Sequence, residues 1–427
     1  MSLRLCGLAL LLAGLVGSGC GPAETPSETP AEPAFRLVGT ADQVHLPAFT
    51  PATGPPKERK IVGWPEGGMP TAPAGFKVTQ FADGFKLARW LYVLPNGDVL
   101  ASEVGEGERE ALRGQGKVWL LRDADNDGVA EMKQQFVGGL DRPFGMTLIG
   151  NDFYVTNTGS LMKYAYREGQ TRAGGRGEKV LDLIPDGQHW TRPIVAKPDG
   201  TKLYISVGSA SDWSDETPDA LPAERAAIWE VNPDGSGKRV FASGVRNAVG
   251  MDFAPGTSDL WVVINERGLL GDDLPPDYFT SIRDGGFYGW PYSYWGKNED
   301  PRQTKKAPDL VAAAITPDYA TEPHAAPLGM TFYDGESFPQ QYRGGAFIAF
   351  HGSSGRTGFV GYEVSYIAFQ NGRASGEPQP FLTGFIGNEA AGEVYGRPMG
   401  LAVGRDGSLL VVDDATNRIW KVTYTGQ

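Results

Sequence analysis

Six short apolar runs punctuate the chain, each opened by a turn. They read NGDVLASEV (96–104), NDFYVTNTG (151–159), DGTKLYISVGS (199–209), GTSDLWVVINE (256–266), GGAFIAFHGS (344–353) and DGSLLVVDD (406–414). Each is rich in β-branched and aromatic side chains and begins with Gly, Asn or Asp, the pattern of a strand entered from a tight turn. A second element recurs just upstream: RPFGM (142–146), RNAVGM (246–251), APLGM (326–330) and RPMGL (397–401), with looser versions ARWLY (88–92) and TRPIV (191–195). The pattern predicts six units, each an Arg or Pro, a small residue, a strand, a tight turn and a second strand. A longer interval over residues 283–325 reads as an insertion. No amphipathic helical period of any length appears. Six repeats of about four strands predict an all-β fold, a six-bladed β-propeller over residues 71–427.

In such a ring the innermost strand of each blade lines the central channel, and the segments leading into those strands gather at one mouth. Arg89, Arg142, Arg192, Arg246 and Arg397 then converge from different blades. A ring of guanidinium groups suits an anionic ligand with several carboxylates or phosphates. The alternative is structural, each arginine pairing with an acid or carbonyl of a neighbouring blade. The chain has four histidines, His45, His189, His324 and His351. His189, in DGQHWTRP (186–193), stands on the segment leading into the third unit, where other units present arginines. Trp190 beside it reads as packing between blades, and Arg192 as either ligand contact or scaffold. His351, at the end of a strand, reads as structural. His45 has no assignable role.

Charge and composition narrow the partners. The formal net charge is −12, and no extended basic segment is visible, which argues against nucleic acid. The 59 glycines and 32 prolines fit a turn-rich β protein. Residues 1–20, MSLRLCGLALLLAGLVGSGC, carry an apolar run too short to span a bilayer and read as an export signal. The run ends in small residues and Cys20, resembling a bacterial lipoprotein signal in which Cys20 is lipidated. Cys6 would leave with the signal, so no internal disulfide is expected. Residues 21–34, GPAETPSETPAEPA, read as a disordered tether. Residues 35–70 look irregular and are expected on the domain surface rather than in a core. The expected location is the periplasmic side of a bacterial membrane, held by lipid, or the exterior.

The segments QHWTRPIVAKPDGTKLYISVGS, GVRNAVGMDF, RDGGFYGWPYSYWG, AFIAFHGSSGR and GRPMGLAVGRDGSLLVVDDATNRIW together resemble the soluble glucose/sorbosone dehydrogenases, most nearly the sorbosone branch. That resemblance covers roughly residues 75–425. It implies a six-bladed quinoprotein that binds pyrroloquinoline quinone (PQQ) and calcium, oxidises a sugar or sugar aldehyde, and passes electrons to an external acceptor such as a cytochrome or the quinone pool. It implies His189 as the base that takes the substrate's hydroxyl proton, a role suited to neutral imidazole. It further implies Arg246 at the quinone oxygens, Asn247 holding the cofactor in plane, and Arg356, His324 and Arg397 as further cofactor contacts. The calcium ligands it implies are the carbonyls of Gly268 and Leu269, with Asp272 and Asp273 supplying nearby charge. HGSSGR (351–356) departs from the related HGSWNR, and Leu269 stands where the glucose-oxidising branch has proline.

Two further features stand apart. RDADNDGVAE places Asp123, Asp125 and Asp127 before Gly128, the first half of a calcium loop, with Glu131 at the ninth position and Gln134 where the twelfth ligand would be Glu. A solvated acidic turn is the alternative. The aromatics of FYGWPYSYWG (287–296) either stack on a sugar or pack a loop. The chain has no C-x-x-C-H, so it carries no haem-attachment motif of its own. Two other functions fit the fold: a non-catalytic carbohydrate- or protein-binding propeller, and a lactonase-like hydrolase. The last needs several carboxylates at the mouth.

Overall fold

The six turn-opened runs become six strands that are buried along their whole length or nearly so: Val99–Glu103, Asp152–Thr156, Leu203–Val207, Leu260–Ile264, Ala346–Phe350 and Leu409–Asp413. Both faces of each are covered by neighbouring sheets, so the run is continuously apolar rather than alternating. Burying each Val, Leu, Ile or Phe contributes about 1.5–3 kcal/mol. The tight turns before them place Gly97, Gly200 and Gly407 at positive φ (94°, 71° and 78°), which glycine adopts without penalty. The computed structural model describes residues 35–52, 54–107, 112–185, 187–213, 224–353 and 355–426. The export segment, the tether and Cys20 lie outside the described residues.

Each buried strand is the second of an antiparallel sheet. Sheet one runs Ala88–Val93, Val99–Glu103, Gly116–Arg122, Met132–Leu140. Sheet two runs Met146–Ile149, Asp152–Thr156, Ser160–Ala165, Gly174–Asp182. Sheet three runs Ile194–Ala196, Leu203–Val207, Ala227–Val231, Arg239–Ser243, with Gly286–Phe287 added in parallel. Sheet four runs Ala248–Phe253, Leu260–Ile264, Asp277–Ser281, Tyr319–Thr321, with Gly39–Thr40 on its edge. Sheet five runs Pro327–Phe332, Ala346–Phe350, Glu363–Gln370, Arg373–Leu382. Sheet six takes Pro398–Val403, Leu409–Asp413 and Arg418–Tyr424 from the C-terminus. Its fourth strand, Phe76–Ala82, comes from the other end of the chain.

The first strands of the six sheets line one cavity of about 430 Å³, each with more than one residue, among them Trp90, Met146, Ile194, Met251, Met330 and Leu401. The small residue of the upstream motif is where neighbouring sheets touch. A Cβ on Gly145 would lie 2.6 Å from the Ile194 nitrogen, and one on Gly250 2.7 Å from the Met330 nitrogen. One on Gly329 would overlap the Met399 carbonyl, and one on Gly400 would lie 2.6 Å from the Arg89 carbonyl. Trp90 packs on Phe144 at 5.0 Å, and Ser206 Oγ donates to the Ala248 carbonyl at 2.8 Å. These six contacts join sheet one to two, two to three, and so on until sheet six meets sheet one.

Pro308–Ala313 is the one α-helix among the described residues and falls within the inserted stretch. Residues 35–70 are more engaged than their irregular composition predicts. Val44 is buried in a core cluster, and Lys60–Ile61 pairs in parallel with Glu393–Val394. Trp64 packs against Phe385, Tyr395 and Trp420 and donates to Asp413 Oδ2 at 2.7 Å. The reason is that this stretch finds backbone partners on several loops at once, among them Arg356, whose carbonyl accepts from Lys57 N at 2.7 Å.

Candidate active site

Because first and second strands run antiparallel, the start of one and the end of the other share an edge of each sheet. Sheet three brings His189 before its first strand and Ser209 after its second. Sheet four brings Arg246 and Asn247 before and Asn265 after. Two backbone bonds stitch these segments together: Ser209 N donates to the Arg246 carbonyl at 2.7 Å, and Asn265 N to the Asn247 carbonyl at 3.1 Å. Gly208 sits in the gap. A Cβ there would lie 2.5 Å from Asn247 Oδ1 and 2.7 Å from His189 Cβ.

The tautomer of His189 follows from its neighbours. Its Nδ1 lies 3.0 Å from the Ser209 carbonyl and 2.9 Å from Ser209 Oγ, while that hydroxyl donates to the Ser211 carbonyl at 2.7 Å. Both partners of Nδ1 are thus acceptors, so Nδ1 carries the hydrogen and Nε2 keeps its lone pair. Burial pushes the pKa down to about 3, and the charges of Arg246, Arg192 and Arg225 act in the same direction. The ring is neutral at pH 7. Nε2 stands 3.5 Å from Asp212 Oδ1, and the same oxygen accepts from Arg246 Nη2 at 2.7 Å. Arg246 also donates to the Asp212 and Asn265 carbonyls (3.1 and 2.8 Å) and lies over the Trp290 ring.

The other mouth arginines are also engaged. Arg89 pairs with Asp414, and Arg142 with Asp141 at 3.3 Å; both guanidinium groups lie within 6 Å of the Trp190 ring (5.5 and 5.8 Å). Arg397 donates to the carbonyls of His351 (2.8 Å) and Gly352 (3.2 Å), and burial with nearby Arg59 pushes its pKa down to about 10. Arg192 is fully buried and donates to the carbonyls of Ile184, His189 and Thr191. His351 Nε2 meets Asp414 Oδ1 at 2.8 Å. Burial pushes His351 down to about 4. Burial opposes ionisation of Asp414, but His351, Arg89 and Arg397 hold it well below the usual carboxylate range.

Residues 156–354 match the glucose/sorbosone dehydrogenase family model, and residues 285–425 a TrAA12-like model. Just under half of the chain is thus similar to the glucose/sorbosone dehydrogenase family. An aldose sugar dehydrogenase of Escherichia coli is 31% identical over 111 residues, 26% of this chain and 28% of that protein. Among solved structures, a Trichoderma reesei protein of carbohydrate-active enzyme family AA12 superposes with a TM-score of 0.71 at 19% identity, covering 86% of this chain and 99% of that one. The holo PQQ domain of a pyranose dehydrogenase from Coprinopsis cinerea gives 0.68 at 19% identity, covering 88% and 100%. These likenesses are of fold.

The matched residues 156–354 include His189, Arg246, Asn247, His324 and the Gly268–Leu269 pair. The pair is placed unlike a cation site. The Gly268 carbonyl accepts from Arg302 Nη1 at 2.9 Å, and Leu269 is 71% exposed at φ 68°. His324 is buried and its Nε2 donates to the Gly271 carbonyl at 2.9 Å. Arg356 donates to Glu322 (3.0 Å) and the Pro323 carbonyl (3.1 Å). Asp272 is engaged by Thr357 through both its backbone nitrogen and its hydroxyl. His324 and Asp272 therefore hold the loop after Arg267, Arg356 holds the Glu322–Pro323 turn, and none of the three bonds to His189, Arg246 or Asn247. In FYGWPYSYWG, Tyr288, Trp290, Tyr294 and Trp295 are buried, which makes the run packing rather than an open sugar platform.

Sequence reasoning missed Ser209, Asp212 and Asp414 and set His351 aside. A signal was present. In five of the six units the residue just past the buried strand, or closing it, is polar: Glu103, Asn157, Asn265, His351 and Asp414. In the remaining unit it is Gly208, then Ser209. A polar residue ending an apolar run faces the same mouth as the arginine that precedes the unit.

Proposed function

We propose that the chain is a six-bladed β-propeller dehydrogenase that oxidises a sugar or sugar aldehyde at the mouth around His189, using PQQ. One observation carries the reading: a neutral imidazole with a free Nε2 faces a carboxylate oxygen that Arg246 already grips. Asp212 there marks a place where an anionic group is held beside a base. The donor set fits PQQ. Arg246 supplies the anion contact, and Asn247 Oδ1 and Arg142 Nη1 are buried polar atoms with no hydrogen-bond partner among the described residues. Bound, PQQ would supply the two-electron acceptor.

The chain's own residues supply the rest. Nε2 of His189 receives the hydroxyl proton of the sugar, with Nδ1 anchored on Ser209 so that the ring cannot turn away. The surrounding arginines disfavour an imidazolium, so the proton leaves again, and half-exposed Asp212 is the group on its way to solvent. Arg246 stabilises negative charge developing on the acceptor. Calcium at Gly268 and Leu269 does not fit the residues as they stand, because Arg302 occupies the Gly268 carbonyl. No step is assigned to it. Export through residues 1–20, lipid attachment at Cys20 and an external electron acceptor complete the proposal; their support is the sequence.

The Arg302 contact favours a second reading, a non-catalytic carbohydrate- or protein-binding propeller. An absorbance titration separates the two. Wild type should bind PQQ saturably, and Arg246→Met should weaken binding at least about tenfold, the loss of a charge-assisted contact. No PQQ binding by the folded wild type would leave the binding-module reading.

A further inference from the structure

The turn joining Gly116–Arg122 to Met132–Leu140 gathers Asp123, Asp125, Asp127 and Glu131 so that one ligand oxygen of each lies within 4.8 Å of all the others. Oxygens on opposite sides of one calcium ion stand about 4.6–5.2 Å apart, and on opposite sides of magnesium about 4.0–4.2 Å, from their bond lengths. The span admits a calcium ion, and a loop of mostly exposed carboxylates of this kind is flexible enough for calcium's larger, less rigid shell. An independent observation points to a ligand. The Asp123 side chain is only 8% exposed. Its Oδ2 accepts from Gly128 N and Lys421 Nζ, both at 3.0 Å, but Oδ1 is sealed from solvent with no hydrogen-bond partner among the described residues. A buried carboxylate oxygen with no protein donor is costly, and a bound cation satisfies it. Lys421 offsets one of the four negative charges and is shared with Asp406 at 3.0 Å.

We propose that this turn binds one calcium ion through Asp123, Asp125, Asp127 and Glu131. The ion fastens the place where the two chain ends meet. Ala130 N donates to the Phe81 carbonyl at 2.8 Å, on the strand Phe76–Ala82 that completes sheet six. Lys421 lies on the adjacent strand Arg418–Tyr424. A cation in the turn thus holds sheet one against the closure of the ring, independently of what the mouth does.

The test is calorimetric titration of the chelator-stripped full chain with calcium, wild type against Asp125→Asn/Asp127→Asn, with thermal melts alongside. Both substituted carboxylates are exposed, and Glu131→Gln gives the same comparison if the double variant misfolds. Wild type should bind one equivalent more than the variant. At calcium about 100-fold above Kd its Tm should rise roughly 3–5 °C, and the variant's should not. Equal stoichiometry and equal melting shifts in the two proteins would overturn the proposal, as would a site that prefers magnesium.

Discussion

Gly400→Ala tests why a glycine recurs at the start of four of the six first strands. Its Cβ would lie 2.6 Å from the Arg89 carbonyl and 3.1 Å from Trp90 Cα, at the junction of the last sheet with the first. An ordinary carbon–oxygen approach is about 3.3–3.6 Å. One sheet must therefore move by about 0.7–1.0 Å, and no rotamer change can relieve a backbone-to-Cβ overlap. Overpacking of this kind costs about 1–3 kcal/mol. Reduced freedom of the unfolded chain returns about 0.4–1 kcal/mol for Gly→Ala at a compatible φ. The net expectation is a loss of about 1–2 kcal/mol. Gly358→Ala is the control, since a Cβ there meets nothing within 4 Å. It should be neutral or slightly stabilising. Urea unfolding read by tryptophan fluorescence gives both midpoints. If Gly400→Ala is as stable as Gly358→Ala, close approach of neighbouring sheets is not what the motif encodes.

Three other perturbations follow from the geometry. Arg267 is fully buried between Glu266 (2.9 Å) and Asp300 (3.1 Å), so Arg267→Met should cost about 3–5 kcal/mol in unfolding experiments; a loss under about 1 kcal/mol would mean the acids are otherwise satisfied. His189 resists a proton that the unfolded chain accepts below its ordinary pKa of 6.5, so its contribution is complete above pH 6.5 and is lost as pH falls toward 3. Wild type should lose about 2 kcal/mol at pH 5 relative to His189→Gln, and parallel urea midpoints between pH 7 and 5 would contradict that. Gly208→Ala should drive His189 and Asn247 apart and weaken PQQ binding at least about tenfold while the far-ultraviolet circular dichroism is unchanged; unaltered binding would place the ligand elsewhere.

The six buried strands and their turns were legible because a short apolar run opened by a turn of Gly, Asn or Asp has few other structures to adopt. The placement of His189 beside Arg246 was legible too, since both precede the first strand of adjacent units. Partner identity was not. All five mouth arginines carry the same motif, yet Arg192 is bound by three carbonyls of its own segment while Arg246 is held by Asp212. That distinction depends on loop paths rather than on local pattern. The same limit applies to Gly268, whose carbonyl could be assigned to a cation only until Arg302, 34 residues onward, was seen to occupy it. The reach of residues 35–70 across several loops was hidden for a related reason: its bonds are mostly made by backbone, which sequence pattern does not register.

Sugar oxidation at the mouth around His189, as proposed, can be decided by rate. Its most direct test is dye-linked oxidation of a panel of aldoses and sugar aldehydes by the full chain supplied with PQQ, wild type against His189→Ala, with PQQ binding measured on both. The account predicts oxidation by wild type, a loss of about 10²–10⁴ in rate for His189→Ala, and PQQ bound by both proteins. An undiminished rate in PQQ-loaded His189→Ala would contradict it.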